Sequence, residues 1–326
     1  MKTLVTGGTG FIGSHVIEKL CERGDQVVTV SKDRLNLIEL KKLGVEVIDG
    51  DINSINSWEN ILEDVDIVFH IAGVTHAKNS CDYYEGNHTA TKRIIELCSE
   101  LCNNLKRFVY VSSLAAVGPS MQNIPVDESS PYHPVSDYGR SKMLGELEVL
   151  KFSDKLPITI VRPSAVYGPR ERDMYMYMKS IKRGILMLIG FNQKYLNLIY
   201  VDDLIEGIIL ASVSDRAINQ IYFLGSEVAY PNEEIGRTIA EVIHRNPLDF
   251  HVPHCIVYFI CAVEELIGKI FGNQVFLNLQ KARELTQTAW HCSIEKARRE
   301  LGFNPKTSLH DGFTNTFKWY KQMGWL

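Results

Sequence analysis

The amino terminus carries a glycine-rich turn between a short apolar run and an apolar-periodic helix. Leu4 and Val5 precede glycines at positions 7, 8, 10 and 13, and apolar residues recur at helical spacing from Phe11 to Leu20. Glycine permits the unusual dihedrals and the close approach to phosphate that such a turn needs, and the following helix directs free N–H groups at an anion. The first gap is one residue longer than in the usual fingerprint. The pattern favours a dinucleotide site over a turn that binds nothing.

The composition excludes several classes of ligand and location. A chain of 326 residues with a net charge of −4 and no long basic run argues against a nucleic-acid partner. The amino terminus enters a strand without an export signal, and the seven cysteines show no metal-type spacing. We therefore expect a cytoplasmic protein with reduced thiols and no bound metal.

One stretch, Val252 to Val263, is strongly apolar. It is too short to span a bilayer and is followed by Glu264 and Glu265, so we predict no membrane span. A buried helix or an apolar wall of a substrate pocket is the favoured interpretation. Contact with a membrane surface is the less favoured alternative.

Short β-branched runs alternate with helical segments through the first two-thirds of the chain. Strands are predicted at 27–30, 45–48, 67–71, 108–111, 158–162 and 220–224, and helices at 35–43, 89–102 and 138–152. This alternation predicts an α/β fold with a doubly wound parallel sheet, a Rossmann fold. We assign residues 1–169 and 197–227 to that domain. Residues 170–196 and 228–326, with helical pieces and no further series of parallel strands, are assigned to a smaller C-terminal substrate-binding lobe.

Tyr138 and Lys142 lie four residues apart at the start of a predicted helix, and hence on one face. A tyrosine with an ordinary pKa of about 10 is a poor acid–base catalyst near neutral pH, and a neighbouring cation favours its phenolate. Ser113, at the end of a preceding strand, can hydrogen-bond a reacting oxygen. Because ligands bind beyond the carboxyl ends of parallel strands, these residues and the glycine turn are expected to meet there.

These motifs together resemble the extended short-chain dehydrogenases/reductases, the epimerase/dehydratase family. Further matching segments are Gly50-Asp51, 70–73, Asn87, Arg162-Pro163, 166–169 and 200–203. The resemblance covers nearly the whole chain and implies Ser113, Tyr138 and Lys142 as catalytic residues. Asn87 fits the asparagine that precedes a helix in this family, or it is a helix cap. The implied cofactor-binding residues are Gly7, Thr9, Gly10, Phe11, Ile12, Gly13, Ser31, Lys32, Arg34, Asp51, Ile52, Ala72, Gly73, Tyr138, Lys142 and Pro163.

Departures from the family pattern reduce the number of reactions that we expect this chain to catalyse. Leu114-Ala115 stands where the sugar-nucleotide dehydratases carry an acidic pair, so dehydration lacks its catalysts. Ala165 and Leu196-Asn197 replace groups that hold a diphosphate in the epimerases. Arg170, Arg172 and Lys194 could supply that charge, although solvated surface charge is the favoured interpretation. The chain is more similar to the reductase branch, that of 3β-hydroxysteroid dehydrogenases and dihydroflavonol reductases.

The second strand ends in Ser31, with Lys32 and Arg34 beyond it, which slightly favours NADP, while Asp33 leaves NAD open. We expect an NAD(P)-dependent oxidoreductase that transfers a hydride between nicotinamide and a secondary alcohol or ketone of a small, largely apolar substrate. The alternatives are a nucleotide-sugar epimerase with retained NAD and a non-catalytic dinucleotide-binding sensor. A homodimer is left open.

Overall fold

A computed structural model describes residues 1–31, 41–52, 58–121, 124–271 and 277–326. Most of the helix predicted at 35–43 lies outside these ranges, as do Lys32 and Arg34. The strands of the described ranges are β1 (Lys2–Thr6), β2 (Gln26–Ser31), β3 (Glu46–Asp49), β4 (Ile67–His70), β5 (Arg107–Val111), β6 (Ile158–Pro163), β7 (Ala165–Tyr167), β8 (Ile185–Ile189), β9 (Tyr195–Tyr200), β10 (Gln220–Leu224), β11 (Ala229–Pro231), β12 (Leu248–Val252) and β13 (Ala289–Trp290).

The helices connect these strands and cover both faces of the main sheet. They are α1 (Phe11–Glu22), α2 (Ser80–Tyr84), α3 (Ala90–Leu101), α4 (Leu114–Val117), α5 (Asp137–Leu150), α6 (Asp173–Lys182), α7 (Val201–Val213), α8 (Asn232–Val242), α9 (His254–Phe271), α10 (Leu279–Leu285), α11 (Glu295–Leu301) and α12 (Leu309–Gln322). A π-helical turn, Glu85–Thr89, lies between α2 and α3.

Seven parallel strands form the main sheet in the order β10-β6-β5-β4-β1-β2-β3. The chain winds outward from β1 in both directions, which leaves a crevice between the carboxyl ends of β1 and β4. The central strands read as apolar runs because helices bury both of their faces, α1 and α7 on one side and α3 and α5 on the other. The predicted Rossmann fold is confirmed.

Two smaller sheets lie outside the main one. Strand β9 pairs with β7, β11 and β13, and β8 pairs in parallel with β12. The sequence predicted no further series of parallel strands here, and it did not predict the parallel pair of β8 and β12. The reason is that β8 and β12 lie about 60 residues apart, and short strands that pair over such a distance have no local sequence signature. The domain boundaries proposed above stay a prediction.

The apolar stretch found in the sequence forms β12's last residue and the first half of α9. Within the described part of the chain, no helix is both long and apolar enough to cross a membrane.

Candidate active site

The glycine turn after β1 is sterically restricted to glycine at two points. Gly7 has a φ of 75°, and a Cβ there would lie 2.7 Å from the Ala72 nitrogen, while a Cβ at Gly13 would lie 2.1 Å from the Gly7 oxygen. Helix α1 begins just beyond, and Gly10 caps it without a side-chain hydrogen bond. The first N–H groups of α1 are therefore left to an external acceptor, which fits a phosphate.

A cleft of about 1600 Å³ extends from this turn across the ends of β4, β5 and β6. Ser113 and Tyr138 line it together with nine of the predicted cofactor-binding residues, namely Gly7, Thr9, Gly10, Phe11, Ile12, Gly13, Ala72, Gly73 and Pro163. Ser31, Asp51 and Ile52 do not line it. The Ser31 hydroxyl lies 3.4 Å from that of Thr9, and the Asp51 carbonyl accepts a hydrogen bond from Trp58 Nε1. The cofactor roles of these three residues stay predictions.

A buried chain of hydrogen bonds joins the end of β1 to α3. His70 Nδ1 lies 2.8 Å from Thr6 Oγ1, and His70 Nε2 lies 2.9 Å from Thr91 Oγ1. Complete burial and the charge of Lys142 lower the pKa of His70 to about 3, so the ring is neutral. His70 therefore joins the sheet to helix α3.

Asn87 joins the loop after β4 to the helix that bears Tyr138. Its Oδ1 accepts from the Val74 nitrogen at 2.7 Å, and its Nδ2 donates to the Val74 oxygen and to Ser141 Oγ, each at 2.9 Å. The alternative of a helix cap was wrong, because Asn87 lies inside the π-helical turn with its amide bonded to two other segments. It sets the position of Gly73 against α5.

Tyr138 lies in the first turn of α5, and Ser113 caps α4, accepting a hydrogen bond from the Ala115 nitrogen at 3.1 Å. Burial raises the pKa of Tyr138 to about 12, while hydrogen bonding to Ser113 and the charge of Lys281 act to lower it. The two hydroxyl groups predicted to act together are thus brought together in the cleft.

Lys142 is buried one turn further along α5. Its Nζ donates to the Val111 oxygen at 2.7 Å and lies 4.8 Å from the centre of the Tyr110 ring. A Cβ on Gly73 would approach this Nζ to 3.4 Å, so the ammonium lies directly behind the cleft wall. Burial lowers the pKa of Lys142 to about 8, partly opposed by Glu146.

A buried ion pair holds α5 against the sheet. Arg162, at the end of β6, donates from Nη2 to Glu146 Oε2 at 2.7 Å, and both side chains are almost fully buried. Ser112 and Tyr132 also donate to the Glu146 carboxylate. Glu146 was not among the predicted site residues, although its position four residues after Lys142, on the same helix face, was a usable signal.

Helix α10 covers the start of α5 and brings a second set of charged groups to Tyr138. Ser136 Oγ donates to Glu284 Oε1 at 2.6 Å, and Gln280 Nε2 donates to Asp137 Oδ2 at 2.9 Å. On the same helix, Lys281 lies close enough to Tyr138 for its charge to lower the pKa of the hydroxyl.

Lys281 completes a charged cluster drawn from three distant segments. Its Nζ lies 3.7 Å from Asp173 Oδ2 and 3.6 Å from Glu284 Oε2, and Asp173 Oδ1 lies 3.2 Å from His76 Nε2. All four residues line the cleft. This cluster could not be predicted from the sequence, because its members lie between positions 76 and 284 and share no motif.

Two cations considered as diphosphate ligands are engaged elsewhere. Arg170 pairs with Glu18, and Lys194 Nζ donates to the Thr286 and Gln287 carbonyls at 2.7 and 2.8 Å. The interpretation of Lys194 as solvated surface charge was wrong, because its side chain is buried over these carbonyls. Arg172 is exposed at the cleft.

The far end of the cleft is apolar. Side chains from β8, β9, β12 and α9 line it, including Met187, Ile189, Leu196, Val252 and Val257. Among the described residues, no group of three or more His, Cys, Asp or Glu side chains is arranged to hold a metal. The chemistry available here is that of a tyrosine hydroxyl, a serine hydroxyl and a buried lysine beside an apolar chamber.

Comparisons with known proteins agree with this geometry. A model of the NAD dependent epimerase/dehydratase family matches residues 3–225. The chain is 29% identical to the uncharacterized UDP-glucose epimerase YtcB of Bacillus subtilis (97% of this chain, 96% of that protein) and 28% identical to ceramide reductase of Caulobacter vibrioides (99% and 95%). The crystal structure of UDP-glucuronic acid 4-epimerase from Bacillus cereus with UDP-glucuronic acid and NAD is similar in fold, with a TM-score of 0.80, 24% identity and coverage of 99% and 100%.

Proposed function

The chain belongs to the NAD dependent epimerase/dehydratase family, and from this premise we propose that it transfers a hydride between nicotinamide and a secondary alcohol or ketone of a largely apolar small molecule. The observation that carries the proposal is the meeting of Ser113 and Tyr138 on the wall of the cleft that begins at the glycine turn, with Lys142 buried behind Gly73. A hydroxyl acid–base pair beside a dinucleotide cradle suits this reaction.

Each of the three polar side chains has its own role in the proposed reaction. Bound nicotinamide supplies or accepts the hydride. Tyr138 gives its proton to the substrate oxygen in reduction and takes it back in oxidation, and Ser113 holds that oxygen by a hydrogen bond. Lys142 fixes the cleft wall near Gly73 and supplies positive charge. The apolar chamber excludes water from the reacting atoms.

The apolar end of the cleft and the engaged cations support an apolar substrate. A diphosphate buried here would face Asp173 and Glu284, while Arg170 and Lys194 are held by other groups. An unpaired phosphate in such a site is strongly disfavoured. Ceramide reductase, among the similar proteins, has a name consistent with this proposal.

A second candidate is a nucleotide-sugar epimerase that retains NAD and returns the hydride to the opposite face. The names of the similar proteins and structures favour this alternative more than the reductase, because most of them are sugar-nucleotide enzymes. Exposed Arg172 and the Lys281 cluster are the groups that would meet a nucleotide sugar.

NAD is the cofactor to test first, since it is named with the similar structures. The expectation of NADP rested on Ser31, which ends the second strand, and on Lys32 and Arg34, which lie outside the described residues. Replacing both with alanine should weaken NADP binding more than NAD binding in calorimetric titration. Equal losses would mean that these residues are surface charge.

One set of assays separates the two functions. The purified protein is denatured, and the released cofactor and any small molecule are identified by mass spectrometry. Apolar ketones with NADH or NADPH are followed by nicotinamide absorbance, and UDP-glucose by NMR, because epimerisation gives no net absorbance change. We expect exchangeable cofactor and ketone turnover that Tyr138→Phe abolishes. Retained NAD and conversion of UDP-glucose would overturn the reductase and establish the epimerase.

A further inference from the structure

Helix α9 presents a stripe of apolar side chains to solvent. Residues at positions 256, 259, 260, 263, 266 and 267 follow helical spacing on one face, and Phe259 is 69% exposed. The neighbouring face, with Val257 and Cys261, is buried against Leu277 and Ala282. A helix on a protein surface that faces water normally turns its apolar side chains toward the core. Here a second apolar face is turned outward, and we call it the helix stripe: Ile256, Phe259, Ile260, Val263, Leu266 and Ile267.

The ribbon of β8 and β12 also has an apolar exposed face. The register pairs Leu248 with Ile185, Phe250 with Met187, and Val252 with Ile189, so the three pairs share one side of the ribbon. The first two pairs are exposed, with Leu248 at 80%, whereas the third pair lines the cleft. This ribbon face is therefore continuous from solvent into the apolar chamber.

Two residues mark the mouth of the chamber. Met187 from the ribbon face is 46% exposed and Ile260 from the helix stripe is 42% exposed, yet both line the same cleft as Tyr138. The two apolar surfaces thus border one opening. A continuous exposed apolar patch indicates an interaction site, whereas apolar residues that are scattered singly over a surface do not.

Cations flank the ribbon face where its strands begin. Lys182 and Arg183 precede β8, and Arg245 precedes β12; all three are exposed, and none forms an ion pair with a described residue. A hydrogen bond from the Leu248 nitrogen to the Gly184 oxygen, 2.9 Å, brings the two turns together. Apolar side chains beside free cations match the acyl and phosphate layers of an anionic phospholipid bilayer.

We propose that the helix stripe and the ribbon face together dock the protein on an anionic phospholipid bilayer, with the mouth of the cleft opening toward the lipid. A second copy of the chain on this surface would cover Met187 and Ile260 and close the mouth. A bilayer leaves it open to an amphiphile, which can enter with its apolar part against Val252 and Val257. This part of the inference, entry of the substrate from the bilayer, rests on the proposed function. The docking itself does not.

Vesicle co-sedimentation of the full chain tests the docking. Vesicles of phosphatidylcholine alone are compared with vesicles that also contain phosphatidylglycerol, at low and high salt. We expect binding that is stronger with phosphatidylglycerol and weaker in salt. Phe259→Ser with Leu266→Ser should lower the partition coefficient by about tenfold or more, because two large apolar groups no longer enter the lipid. Arg183→Gln with Arg245→Gln should remove about fivefold per residue of the preference for phosphatidylglycerol.

The matched control is Ile124→Ser with Val213→Ser, two apolar residues exposed outside this surface, and it should bind as the unaltered chain does. Circular dichroism and melting of each variant report folding separately. No binding of the unaltered chain to either vesicle, or equal binding of the Phe259 and Leu266 variant, would overturn the proposal. If the unaltered chain is a dimer that the Phe259 and Leu266 variant dissociates, and no vesicle binding is seen, the surface belongs to a second copy of the chain. That result would also overturn the proposal. Vesicle binding without ketone turnover would keep the docking and remove the proposed function.

Discussion

Tyr138 is buried beside Ser113, and its raised pKa keeps its hydroxyl protonated at neutral pH. This is the state that the proposed transfer of a proton to a substrate oxygen requires. Replacing it with phenylalanine removes the hydroxyl and little else. Tyr138→Phe should lower kcat by about 10²- to 10⁴-fold while the cofactor affinity changes little. Steady-state kinetics and calorimetric titration measure the two effects. The control is Tyr83→Phe, which should retain most turnover. The centres of the Tyr83 and Tyr138 rings lie 6.2 Å apart. Substantial activity of Tyr138→Phe would reject the assignment.

The burial of Lys142 should make the stability of the protein depend on pH. Its pKa falls from 10.5 to about 8 on folding because burial disfavours the ammonium. A pKa that is lower in the folded state means that the unfolded chain binds more protons between these values, so stability rises with pH across this window and is lost as pH falls through about 8. Relative to Lys142→Met, the unaltered chain should gain at most about 3 kcal/mol between pH 8 and pH 10.5.

Urea unfolding of both proteins at several pH values in this window measures the difference. Comparison with the variant cancels the titration of the exposed lysines, which ionise alike in both proteins. A difference that does not change with pH would show that the folded protein does not disfavour the Lys142 ammonium.

At the scale of elements, the Glu146–Arg162 pair fixes helix α5 to strand β6. Removing the charge of one partner leaves the charge of the other buried and unpaired, which lowers the free energy of unfolding by about 3–5 kcal/mol. We expect Glu146→Gln to lower the free energy of unfolding by that order and to displace α5, and with it Tyr138. The exposed pair of Lys92 and Glu96 on α3 is the control, since Glu96→Gln should change stability by less than about 0.5 kcal/mol. Urea unfolding measures both, and equal effects would contradict the role assigned to the buried pair.

At the scale of the whole molecule, the cleft joins residues from both ends of the chain, from Gly7 to Trp325. A ligand that binds only this assembled state stabilises it by about 2.7 kcal/mol at a hundred times its Kd. For a chain of this size the Tm should rise by roughly 5 °C. Differential scanning fluorimetry with NAD and with NADP shows which cofactor gives the larger rise. A further rise in Tm when UDP-glucose is added with NAD would favour the epimerase. No rise with either cofactor, in protein that mass spectrometry shows to retain no nucleotide, would contradict a dinucleotide site.

Local patterns were sufficient for much of this molecule. Gly7 and Gly13 require glycine through backbone geometry that is visible in the spacing, and each central strand carries its own apolar run because it is buried on both faces. Tyr138 and Lys142 lie on one helix, so their separation in sequence determines their common face. The Rossmann fold and the meeting of Ser113 with Tyr138 could be predicted for these reasons.

Other features depend on contacts between segments far apart in sequence. Sequence alone determined the glycine turn, the strand series and the Tyr138 and Lys142 pair, because each depends on the chemistry of neighbouring residues. The tertiary structure decided that the charge of Lys281 acts on Tyr138, that Lys194 is buried over two carbonyls, and that the apolar stretch has one side in the cleft and the other in solvent. The physical reason is that packing of α10 on α5 and pairing of β8 with β12 arise from long-range contacts, which no local periodicity encodes.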